Sequence, residues 1–173
     1  YTQLHTHTVK ADHNVNINFF GADQATVNIN SSQQGADVVL ADNILNTTGK
    51  TTVSSQGRII QANSIAYVNG NSIELYGREG IGEGNLAGGV FAVNTQVEDA
   101  STSGLIAKSA IGNVFINEVT GSIAIDQIRA ESRGEVKLTA AGDIYSTSTN
   151  PIYGGKLVIT STAGGIAKST DTP

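Results

Sequence analysis

Three histidines stand near the start of the chain, His5, His7 and His13. On a β-strand His5 and His7, two apart, share one face, and with His13 nearby the set could ligate zinc or copper. No further ligand accompanies them at a familiar spacing, so they are expected to be solvated and no metal site is assigned. The chain has no cysteine, which excludes a thiolate metal site, a disulfide framework and a cysteine nucleophile.

The densest glycine stretch, Gly77-Arg78-Glu79-Gly80-Ile81-Gly82-Glu83-Gly84, superficially resembles a phosphate cradle. No Lys-Ser/Thr follows it, Glu79 and Glu83 would repel phosphate, and no helix follows whose N-terminus could hold an anion. A corner between coils is expected there instead. The sequons Asn30-Ser31-Ser32 and Asn46-Thr47-Thr48 could accept glycan, although such triplets arise by chance in a chain rich in Asn and Thr. Calcium-binding nonapeptide repeats are absent.

Glycoside cleavage needs two carboxyl groups flanking one bond. Only Glu98 and Asp99 are adjacent here, and neighbours on a strand point to opposite faces. Ice binding needs a Thr lattice, and Thr6-His7-Thr8 and Ser146-Thr147-Ser148-Thr149 have the local form without recurring once per coil. The expectation is therefore a protein without catalytic, cofactor-binding or metal-ligating residues, and without a cofactor.

Ten Lys and Arg against fifteen Asp and Glu give a net charge of −5, and no basic cluster could neutralise a row of phosphates. Nucleic-acid binding is not expected. The longest apolar runs are a few residues, so membrane insertion is not expected either. A chain that starts at Tyr1 and contains no Met points to a processed protein or a piece of a longer one.

The elements that must position these residues are strands. Gly, Asn, Ser and Thr interrupt every window that could sustain a helical period. Alternating runs occur instead, such as Thr26-Val27-Asn28-Ile29-Asn30, Ser72-Ile73-Glu74-Leu75-Tyr76, Ser122-Ile123-Ala124-Ile125-Asp126 and Glu135-Val136-Lys137-Leu138-Thr139. Each reads as a half-buried strand.

These runs repeat. Ile73, Val93, Val114, Val136 and Leu157 follow one another at spacings of 20, 21, 22 and 21; Ile123, Ile144 and Ile166 at 21 and 22; Ile59 and Ile81 at 22. Several registers sharing one period imply several strands per repeat, and a coil of that length can bury its inward side chains only by stacking on the next. The predicted fold is an all-β parallel β-helix, or β-solenoid, of about eight coils, roughly 35 to 40 Å long at ordinary strand spacing.

Ile73, Leu75, Val114, Ile116, Val136, Leu138, Leu157 and Ile159 are its expected interior column. Positions 51–173 read as regular coils of about 20–22 residues, a repeat length that suits a stacked solenoid. Positions 1–50 fit less well and read as a cap, as variant coils or as a separate module. Within them Val15-Asn16-Ile17-Asn18 and Val27-Asn28-Ile29-Asn30, 12 apart, suit either two faces of one coil or a local hairpin.

From Ser64 to Lys168 the phrasing NSIELYGREGIGEGNL, GLIAKSAIGNVFINE, GSIAIDQI and GEVKLTAAGDIYSTST resembles the repeat region of filamentous-haemagglutinin-like adhesins, the passengers of bacterial two-partner secretion. The family pattern, Gly-x-Val/Ile-x-Leu/Ile followed by Thr-Ala-x-Gly-x-Ile, is met by Gly134 to Ile144 and again by Gly155 to Ile166. The resemblance implies a right-handed coil, a secreted or cell-surface location, and an adhesive or structural role as a rigid rod. It also implies partners: flanking coils of the same longer chain or head-to-tail neighbours, and a receptor on a host-cell, bacterial or glycan surface. A carbohydrate-active β-helix and an ice-binding solenoid are the alternatives.

Overall fold

A computed structural model describes residues 6–11, 15–20, 26–82, 92–97, 104–146, 149 and 152–168. None of these is helical. The first described strands are β1 (Thr6–Ala11), β2 (Val15–Phe20), β3 (Thr26–Ser31) and β4 (Val38–Leu45). β5 (Lys50–Ser55), β6 (Arg58–Gln61) and β7 (Val68–Gly70) follow, then β8 (Ser72–Gly77), β9 (Gly80–Ile81) and β10 (Val93–Val97). The last part holds β11 (Leu105–Ser109), β12 (Val114–Glu118), β13 (Ile123–Ala130) and β14 (Glu135–Ala140), and finally β15 (Ile144–Ser146), β16 (Lys156–Ser161) and β17 (Ile166–Lys168).

One sheet runs β1-β3-β5-β8-β11-β13-β15-β17, and the second runs β10-β7-β4-β6-β9-β12-β14-β16 with β2 also on β4. Every pairing among the described strands is parallel, and the strands stack as a β-solenoid of about five turns. Parallel neighbours need a crossover, and here the crossover is the opposite sheet of the same turn. β2 and β3 lie in different sheets, so the paired runs Val15–Asn18 and Val27–Asn30 do not form a hairpin.

The interior is built by alternation. In β3, β5 and β8 the burial pattern is strictly every second residue, and the register carries each inward residue onto its copy. The columns Val27-Thr51-Ile73-Leu105-Ile125 and Ile29-Val53-Leu75-Ala107-Ile128 line one sheet. They face Val38-Ile59-Ile81-Val114-Val136 across the core.

Two of the predicted ladders stand: Ile123-Ile144-Ile166 and Ile59-Ile81 are register partners. The longest is corrected. Val114, Val136 and Leu157 do stack, but Ile73 belongs to the other sheet, between Thr51 and Leu105, and Val93 pairs with Ile116 rather than Val114. The cause is an uneven rung: the numbering advances by 32 from Ile73 to its partner Leu105, but by only 20 from Leu105 to Ile125.

Ile73, Leu75, Val114, Ile116, Val136 and Leu138 are buried as expected. Ile159 is only partly buried and Leu157 is 48% exposed, because β16 is the last strand of its sheet and no described strand lies beyond it.

A side-chain clamp recurs where strands begin. Asp37 and Asn113 stand immediately before a Val, and Asp143 before an Ile, that opens a strand. Each accepts a backbone N–H from the turn above: Arg58 N to Asp37 Oδ1 at 2.7 Å, Glu135 N to Asn113 Oδ1 at 2.7 Å, and Gly165 N to Asp143 Oδ1 at 2.7 Å. These bonds satisfy amides at the corners, where the sheet ladder ends.

Candidate functional site

The outward residues of the eight-stranded sheet also form columns. One consists of Asn28, Thr52, Glu74, Ile106 and Gln127, a mixed set rather than a threonine lattice. The column beside it runs Asn30, Ser54, Tyr76, Lys108 and Arg129, and an isolated parallel bridge extends it from Arg129 to Tyr153. An open groove of about 660 Å³ follows this second column, with Arg78 on its flank.

Two cations, Lys108 and Arg129, stand next to each other in this column, flanked by the rings of Tyr76 and Tyr153. Lys108 Nζ sits 5.9 Å from the centre of the Tyr76 ring, and the Arg129 guanidinium carbon 5.2 Å from that of Tyr153. Both distances lie in the range where a cation is attracted to the ring face. Arg129 Nη2 pairs with Glu131 at 2.8 Å, Arg78 Nη1 with Glu79 at 3.4 Å, and Lys50 Nζ with Glu74 at 2.7 Å. Lys108 has no ion-pair partner among the described residues. Arg129 Nε is shielded from solvent and has no acceptor among them.

The Tyr76 phenol is held above its ordinary pKa. Burial is the largest cause, followed by the negative charge of Glu74, by the hydrogen bond to that carboxylate, and by the charge of Asp126. Tyr76 therefore stays neutral and donates at any physiological pH.

None of these groove residues stands out in the sequence as a site. Lys108 and Arg129 are 21 apart and obey the coil period, but Tyr76 and Lys108 are 32 apart, which hides their alignment. The signal available was the outward parity of Tyr76, directly after the buried Leu75.

The residues that the sequence does single out fall elsewhere. His7 lies on β1 opposite Val27, while His5 and His13 fall outside the described residues, as do Glu83, Gly84, Glu98, Asp99, Thr147 and Ser148. The glycine stretch is a corner within one turn rather than between turns: Gly77 ends β8, and Gly80-Ile81 forms β9 in the opposite sheet. Asn30 faces the groove. Asn46 is fully buried, donating Nδ2 to Lys50 O and to Thr51 Oγ1 at 3.2 Å each, so its sequon cannot carry a glycan in the folded chain.

A carboxylate lies deep inside the solenoid. Glu118 is 1% exposed, with Oε2 accepting from Thr95 Oγ1 at 2.7 Å and Oε1 from Val97 N at 3.0 Å. Hydrogen bonds to both oxygens make its burial tolerable. No group of three or more His, Cys, Asp or Glu able to hold a metal occurs among the described residues.

Parallel ladders, a shared interior and columns of like-placed outward side chains define a β-solenoid repeat protein. The chain matches no family model, no curated protein and no solved structure.

Proposed function

We propose that the chain is a structural and adhesive segment of a long, secreted or surface-exposed bacterial filament of the filamentous-haemagglutinin-like kind. In this reading it acts mechanically, as a right-handed rod of eight coils without catalysis, and its outward columns make the contacts. The observation that carries it is the unbroken parallel order of eight strands in one sheet, which gives stiffness along one axis and presents the same surface position turn after turn.

Leu157 and Ile166, 48% and 60% exposed on the last described strands, are the surface that a following coil or a head-to-tail neighbour covers in this reading.

The test is attachment. Beads coated with the folded chain are flowed over epithelial cells, bacterial cells and immobilised glycans, with beads carrying a heat-denatured chain as control. Retention specific to the folded chain on at least one surface is expected. Equal detachment of both bead types everywhere would remove the adhesive reading, and depolymerisation of a glycan in the same flow cell would replace it with the carbohydrate-active one.

A further inference from the structure

We infer that the groove on the outer face of the eight-stranded sheet binds a linear polysaccharide carrying sparse carboxylates, a uronate-containing glycan, laid along the stacking axis. This deepens the adhesive reading and rests on it. The inference stands on the alignment of Asn30, Ser54, Tyr76, Lys108 and Arg129, with Tyr153 alongside, at a single outward position of consecutive strands.

Consecutive strands are about 4.8 Å apart, close to the advance of one pyranose along an extended glycan. Successive turns therefore meet successive sugars in register. A globular partner has no such repeat, and an apolar chain would find too little unbroken apolar surface between the charges.

Each side chain suits one part of such a polymer. Tyr153, half exposed, offers a ring face for the C–H-rich side of a pyranose. Ser54 and Asn30 offer hydroxyl and amide groups to sugar hydroxyls. Lys108 brings a cation whose charge no carboxylate of the described residues neutralises, so it can take up a carboxylate of the ligand. Arg129, pinned by Glu131 and by the Tyr153 ring, holds a second cation at the same outward position one strand beyond Lys108.

Charge density selects among anionic polymers. Glu74, Glu79, Asp126 and Glu131 lie around the same face, and the chain carries a net charge of −5. A densely sulfated chain would meet those carboxylates at every turn, whereas a polymer with widely spaced carboxylates can place one at Lys108 and neutral sugars beside the acids.

Binding is measured by calorimetry on the full chain against oligomers of a linear glycan carrying one uronate among several neutral sugars, the same oligomers methyl-esterified, and a heparin-type sulfated chain. Lys108→Gln and Tyr153→Ala probe the groove, and Lys137→Gln on β14, in the opposite sheet, is the control; circular dichroism verifies that each folds. The free uronate-bearing oligomer is expected to bind, Lys108→Gln and Tyr153→Ala each to weaken it about tenfold or more, esterification to weaken it comparably, and Lys137→Gln to leave it unchanged. Equal binding of the esterified oligomer, tighter binding of the sulfated chain, or a wild-type response from Lys108→Gln overturns the inference. Absence of binding to all three polymers also overturns it, yet leaves the adhesive reading standing if folded-chain beads still adhere to cells.

Discussion

Val136 on β14 is the register partner of Val114 on β12, and neither side chain has any exposed surface. Lys137, the next residue, points to solvent from the same strand. Inside and outside are thus separated by one residue, and the same substitution should be severe at one position and nearly silent at the other. Val136→Asp places a charge without a partner in the core and should cost more than about 4 kcal/mol, a large part of a domain's net stability. Lys137→Asp should stay within about 0.5 kcal/mol of the parent. Urea denaturation followed by circular dichroism measures both, and coincident midpoints would contradict the facing of β14.

The corners impose a second demand, on space rather than polarity. A methyl group on Gly112 would collide with the backbone carbonyl of Glu79 in the turn below, which cannot swing aside as a side chain could. Gly112→Ala should destabilise by about 1–3 kcal/mol through overpacking. At Gly165 the nearest atom to a new methyl is Asp143 Oδ1 at 3.9 Å, so Gly165→Ala should be nearly silent. Thermal melts of the pair decide the matter, and a silent Gly112→Ala would mean that the turns are less closely stacked at this corner.

Tyr76 predicts a pH dependence. Its phenol is raised above the ordinary value by burial first and then by Glu74 and Asp126, so the folded chain holds that proton more tightly than the unfolded chain does. Its contribution is complete below the unfolded tyrosine pKa, about 10, and is lost as pH rises through the higher folded value. The stability advantage of the parent over Tyr76→Phe should therefore shrink above about pH 10. Denaturation midpoints of both proteins across the alkaline range test this, and profiles that stay parallel would count against the Glu74 contact.

Much of the fold is legible before any coordinates. The pairs Val114-Val136 and Ile123-Ile144 can be read because each lies within one regular rung, where alternation and period reinforce each other. The clamps at Asp37, Asn113 and Asp143 leave a fainter trace, an Asp or Asn directly before a strand-opening Val or Ile, which gains meaning only once the strands are placed. The groove was not legible. Its central pair, Tyr76 and Lys108, spans the long rung, and a separation of 32 matches no period in the chain.

The sequence by itself determined which residues alternate, that the strands are short, and that they recur at a length suited to stacked coils. Those properties are local, since the pleat fixes the alternation along each strand and a turn of backbone fixes the rung. Only the tertiary structure decided which rung lies on which, placing Ile73 between Thr51 and Leu105 and Val93 on Ile116. It likewise brought Tyr76, Lys108 and Arg129 into one outward column. The physical reason is that a solenoid tolerates extra residues between strands at little cost in loop entropy, so chain distance ceases to measure height along the stack.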